Sequence, residues 1–199
     1  MANAEIEHAA GGAPMVGDHL ALDLLNTQAR AEDGAVDYWT SGEDVLGWLA
    51  RHGIAPASGM DEVDRTALLT QAIALRTLAR RLLVQRKEQG EVGEVDELNA
   101  WLQAYASAPM LARDEEGRLV MRRQVRADPL ASLLGPVAEA VAGLLAEGDF
   151  SLVKQCEHPD CILWFYDRTK AHKRRWCSMA LCGNRHKAAQ FRKRSAAAA

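Results

Sequence analysis

All four cysteines of the chain lie between positions 156 and 182, as two pairs, Cys156/Cys161 and Cys177/Cys182, each spanning four intervening residues. Fifteen residues separate the pairs. A short pair can fold back as a knuckle that offers two thiolates, and a connector of this length brings two knuckles together, as a tetrahedral four-cysteine zinc site requires. A disulfide framework would suit a secreted chain, but Met1–Pro14 has neither the basic stretch nor the apolar core of a signal peptide. The pattern therefore predicts one structural zinc ion held by Cys156, Cys161, Cys177 and Cys182. Four thiolates leave no open coordination position for a reacting water.

Charge divides the chain at about the same place. The 199 residues carry a formal net charge of −3, yet Ser151–Ala199 alone holds eleven Lys/Arg against three acids. Such a segregated basic segment points to an anionic partner, and nucleic acid is the commonest. The candidate contacts are Arg168, Lys170, Lys173, Arg174, Arg175, Arg185, Lys187, Arg192, Lys193 and Arg194. The aromatic residues between them, Trp164, Phe165, Tyr166 and Trp176, serve better as the core of so small a module than as stacking platforms. His158, His172 and His186 are redundant as ligands beside four cysteines.

The first 150 residues read as mainly helical. Leu20–Thr27 fits a helix or a strand; its apolar residues belong to a core, and Asp23, Asn26 and Thr27 are candidates for a small-molecule pocket. Ser41 followed by Glu43 and Asp44 marks a helix start, with Val45, Leu46 and Leu49 inward. A long helix is expected over about 62–88, capped by Asp61, with Leu68, Leu75, Leu78, Leu82 and Leu83 as its buried stripe. Arg76, Arg80, Arg81, Arg86 and Lys87 form its solvated face. A shorter helix follows over about 94–106. Alternation at 119–125 after the turn Asp114–Gly117 reads as a β-hairpin. Asp128-Pro129 opens a last helix that ends near Gly148. No uninterrupted apolar run of membrane-spanning length is expected.

In the basic segment, a first knuckle, a strand at 162–166, a return strand at 174–177 and a helix from 178 with Leu181, Ala188 and Phe191 inward compose a treble-clef-like finger. The expected class is α+β, mainly α with a small hairpin. The expected division is a flexible tail at 1–14, a helical domain at 15–150, the finger at 151–194 and a disordered tail at 195–199.

The residues Asp167-Arg168-Thr169, Arg174-Arg175-Trp176-Cys177-Ser178-Met179 and Cys182-Gly183-Asn184-Arg185 with Lys187 resemble the CGNR zinc finger. Thr169 stands where a serine is usual. Leu20-Ala-Leu-Asp-Leu-Leu-Asn-Thr27 resembles the start of the ABATE domain, which usually precedes that finger. Free cysteines beside a metal suit a reducing, cytoplasmic setting, and the resemblance implies a stress-linked transcription regulator that binds zinc and DNA. Its N-terminal domain would sense a small-molecule effector or mediate homodimerisation. The reading from another class is a zinc-stabilised module that binds RNA or an acidic protein surface. No nucleophile motif or Gly-rich phosphate loop suggests an enzyme.

Overall fold

The computed structural model describes residues 12–31, 34–56, 63–105, 107–125 and 128–197. Their contacts gather into two compact units, one from Met1–Thr40 with Glu147–Ala199 and one from Ser41–Ala146. The first unit joins the N-terminal segment to the cysteine-bearing segment.

The unit of residues 41–146 is built on helices. α2 (Gly42–Arg51) begins with a capping box: Asp44 N donates to Ser41 Oγ, and Ser41 N donates to the Asp44 carboxylate. Val45, Trp48 and Leu49 are buried, while Leu46 is only half-buried. α3 (Arg65–Gln89) is capped by Asp64, whose Oδ1 accepts from Thr66 N and Ala67 N. Asp61, the expected cap, lies outside the described residues. The stripe of Leu68, Leu75, Leu78, Leu82 and Leu83 is buried as its spacing predicts. Arg76 corrects the expectation of a wholly solvated basic face, because it is 2% exposed on that buried side. Gly90 closes the helix in the left-handed region.

α4 (Asp96–Ala104) buries Leu98. The hairpin then runs as β3 (Ser107–Arg113) and β4 (Leu119–Val125), antiparallel, with Leu111 opposite Met121. Gly117 has φ +78°, the αL position that a three-residue hairpin loop gives to glycine. α5 (Pro129–Glu147) starts at Asp128, whose Oδ1 accepts from Leu130 N and Ala131 N. Over 18 residues α5 reaches a mean hydropathy of 1.6, which by length and composition would cross a membrane. Glu139 and Ser132 interrupt that run, so the expectation of no unbroken apolar stretch stands. Leu133, Leu134, Val137, Ala138, Val141 and Leu144 are buried within the protein, as in a core helix.

In the other unit, α1 (Leu20–Leu25) settles the helix–strand ambiguity of its sequence, and Ala21, Leu22, Leu24 and Leu25 are almost wholly buried. β1 (Gln28–Ala31) and β2 (Gly34–Asp37) form a short antiparallel hairpin. β5 (Val153–Gln155) pairs antiparallel with β6 (Trp164–Tyr166), so the two strands flank the first cysteine pair. The expected return strand at 174–177 does not form. A backbone bond, Glu157 N to Arg175 O at 3.0 Å, ties that segment to the first knuckle. Ser178 caps a π turn (Met179–Gly183), its Oγ accepting from Leu181 N at 2.9 Å, and α6 (Asn184–Ala197) continues from it.

Candidate metal centre and nucleic-acid interface

The sulfurs of Cys156, Cys161, Cys177 and Cys182 all lie within 4.8 Å of one another. Two come from the knuckle between β5 and β6, one precedes the π turn and one lies within it. The separation is 3.9 Å between Cys161 and Cys177 and 3.5 Å between Cys177 and Cys182. A tetrahedron with zinc–sulfur bonds of about 2.3 Å has edges of about 3.8 Å, so the donor set fits zinc in number, chemistry and spacing. Hydrogen bonds from Cys161, Cys177 and Cys182 draw the Cys156 thiol below its ordinary range. The same crowding, led by Cys156 and Cys161, pushes Cys177 and Cys182 up. Four negative sulfurs can share this space only around a cation.

The histidines stand outside the cluster. His158 Nδ1 accepts from Asp160 N, His172 Nδ1 lies 3.2 Å from Asp167 O, and the His186 ring packs on Trp176. The inner wall of the centre is apolar, with Phe165 and Cys177 fully buried beside Leu163, Cys182 and Ala29. Trp164 and Phe165 are core residues, while Tyr166 and Trp176 are half-buried. Leu181 packs against the cluster. Ala188 and Phe191 do not, and Phe191 is 66% exposed. A helix that leaves a zinc knuckle after a single π turn points its later residues away from so small a core.

Two charged side chains fix the connector. Asp167 is fully buried and accepts from Lys154 Nζ at 2.7 Å, Thr169 Oγ1 at 2.6 Å, Thr169 N at 3.1 Å and Arg174 N at 2.9 Å. Burial alone would raise its pKa. The bonds from Lys154, Thr169 and the Arg174 amide outweigh that and hold the carboxyl well below the usual range. Either Ser or Thr at 169 supplies this hydroxyl, so the departure from serine costs the turn nothing.

Arg174 is the second. Its guanidinium lies 4.2 Å over the Phe165 ring, and Nε donates to Trp176 O at 3.0 Å. Its terminal nitrogens donate to Val16 O at 3.0 Å, Cys177 O and the Asp18 carboxylate. Arg168 Nε adds a bond to Asp18 O at 2.9 Å. Asp18 adopts φ +53°, a conformation that aspartate tolerates better than most residues, and both arginines converge on it.

The N-terminal segment answers with its own polar side chains. Asn26 is fully buried and forms a two-point clasp on the Trp164 main chain: Nδ2 donates to Trp164 O at 2.9 Å, and Trp164 N donates to Oδ1 at 2.8 Å. Tyr166 N donates to Gly17 O at 2.8 Å, and Gly17 N to Asp23 Oδ1 at 2.8 Å. A Cβ on Gly17 would stand 2.8 Å from the Asp23 nitrogen, so this close approach needs glycine. Burial pushes the Asp23 carboxyl up to about 6, against the lowering effect of the bonds from Gly17 and Asn26. Thr27 Oγ1 donates to Leu24 O at 2.8 Å. The three candidate pocket residues are thus buried and bonded inside the unit, with both polar atoms of the Asn26 amide engaged. A polar trio amid leucines was the signal in the sequence, but its partner, 138 residues away, was not readable there.

The basic residues fall into two groups. Arg174 is an internal clasp, and Arg175 pairs with Glu157 at 2.6 Å while stacking over Trp176. Arg168 is exposed but bonded to Asp18 O. Lys170 and Lys173 are exposed on the loop between β6 and the second cysteine pair. Lys187, Arg192, Lys193 and Arg194 are exposed on α6, with Arg185 half-buried at its start. Residues 184–197 contain no acid, and α6 buries none of its described side chains.

Residues 18–148 match the ABATE family model, described as "Putative stress-induced transcription regulator", and residues 153–195 match the CGNR zinc finger. No curated protein matches the chain. The two descriptions are of a regulator and a metal-binding module rather than an enzyme.

Proposed function

From a chain that belongs to the ABATE family and carries a CGNR zinc finger, we propose a cytoplasmic, zinc-containing transcription regulator that binds DNA through α6 and the 168–173 loop. The remaining helices serve effector sensing or dimerisation. One observation carries this reading: α6 is exposed, basic and free of acids, and it is fixed at its start to a zinc centre. A 14-residue helix that gathers five like charges and fully buries none of its described side chains gains little from its own fold. A polyanion groove supplies the missing counter-charge. Zinc sets the direction in which the helix leaves the finger; the lysines and arginines contact phosphates or base edges.

Duplex binding across a salt series tests it. With about five phosphate contacts the log–log slope is about −4 to −5. Lys187→Ala, Arg192→Ala and Arg194→Ala should each flatten it by about one unit or relax base preference. Variants that bind like wild type would place the interface elsewhere. Binding of RNA in preference to duplex DNA would favour the module reading over the DNA one.

A further inference from the structure

Eight large apolar side chains are exposed among the described residues, and four of them, Met110, Leu111, Leu119 and Met121, lie on the β3–β4 hairpin. Leu111 and Met121 are opposite one another, Leu119 is two residues from Met121, and strand alternation puts all three on one face. They are 62%, 71% and 59% exposed. Among the described residues the sheet has two strands, a size that is marginal in water without a third strand or a covering layer.

The backbone shows which edge is open. Asp114 N donates to Arg118 O at 3.0 Å and closes the loop as a hydrogen-bonded pair. Alternation along an antiparallel ladder then turns the N–H and C=O of 119, 121 and 123 outward on β4, and those of 109, 111 and 113 outward on β3. Position 109 is proline, so the β3 edge lacks a donor where a new strand would need one. β4 contains no proline and keeps all its donors.

Charge along the hairpin is polar. Asp114, Glu115 and Glu116 stand at its tip and outnumber the two arginines there, Arg118, paired to Asp114 and Glu116, and Arg113, bonded to Gly117 O, whereas Arg122 and Arg123 lie toward its base. We propose that β4 pairs antiparallel with β4 of a second copy of this chain, about a two-fold axis at Met121. Met121 then meets its own counterpart, and Leu111–Met121 becomes one apolar row across four strands. The acidic tip of each copy lies beside the basic base of the other, twice per dimer, whereas a parallel pairing would set like charges together. This gives a place to the dimerisation role proposed above, and it operates without nucleic acid.

Sedimentation of the full zinc-loaded chain over a concentration series, with no DNA present, tests it. Wild type should show a monomer–dimer equilibrium. Met121→Lys and Leu111→Lys should each raise the dimer Kd at least about tenfold. Both sites are exposed, so far-UV circular dichroism should not change. Glu115→Lys with Glu116→Lys should weaken the dimer similarly, and adding Arg122→Glu with Arg123→Glu should restore it. A wild type that stays monomeric throughout, or a dimer whose Kd none of these changes moves, overturns the pairing and leaves the DNA reading standing.

Discussion

The two units of the molecule are held by different physics. In residues 41–146, α3 and α5 bury leucine and valine at helical spacing, and the starts of α2, α3 and α5 are satisfied by a serine or aspartate cap. Stability there comes from apolar area at about 25 cal/mol per Å². The other unit has a small apolar cluster at the metal centre, with Ala29, Leu163 and Phe165 buried beside Cys156, Cys177 and Cys182 and with Cys161 against them, while α1 adds its own buried leucines. It relies on a metal and on buried polar clasps, Asn26 on Trp164, Asp167 on the connector and Arg174 on Val16 and Asp18. Each of those clasps is directional. The aliphatic unit can absorb a lost methyl group by relaxing around it, but a unit held by a few directional bonds fails when one is removed. This difference makes the metal-bearing unit the more sensitive to zinc supply, oxidation and pH.

The comparison can be broken most violently at the metal. Cys177→Ser should abolish stoichiometric zinc and unfold the metal-bearing unit, since structural zinc contributes about 10–16 kcal/mol to small fingers. Metal analysis with circular dichroism should show loss of zinc while the α3 and α5 helical signal persists. Next comes the clasp. Asn26→Ala strands the Trp164 N–H and C=O in a buried site, at about 1–3 kcal/mol each. Chemical denaturation should show a destabilised zinc-dependent transition with the other transition in place. A cavity in the aliphatic unit, Leu75→Ala, should cost about 2–5 kcal/mol in that unit and leave zinc affinity unchanged.

The smallest effect is pH-dependent. The folded-state pKa of Asp23 is raised from 3.8 to about 6, so the folded state holds this proton more tightly than the unfolded chain does. The contribution is present in full below the unfolded pKa and is lost as pH rises through about 6, amounting to at most about 3 kcal/mol. A carboxyl-carbon titration of Asp23 should show a midpoint near 6, and Asp23→Asn should flatten the stability profile between pH 4 and 6. Asp167 has the opposite sign. Its carboxylate is held low, so its contribution fades only in strong acid.

What was legible in the sequence follows the same contrast. Periodicity alone located α3, α5 and their stripes, because helical spacing of leucines is a local signal. The cysteine spacing located the metal centre for an equally local reason. Four things were not legible. Arg76 lies in a basic run yet is buried, since burial depends on what packs against a helix face. Arg174 looks like its neighbours in sequence but reaches Val16 and Asp18, 158 and 156 residues away. Asn26 and Trp164 are a pair that no window could join. Likewise the strand partner of β6 is β5, before the first knuckle, and not residues 174–177. Residues 174–177, Arg-Arg-Trp-Cys, are too few to tell a strand from an extended loop.

The central claim is that the N-terminal segment and the zinc finger are one metal-dependent unit, although they lie at opposite ends of the chain. Hydrogen exchange of the full chain, with and without a chelator, tests it directly. The account predicts that amides of α1 and of residues 34–40 lose protection together with β5, β6 and the π turn, while α3 and α5 keep theirs. Retained protection in α1 after zinc has left the finger would contradict it.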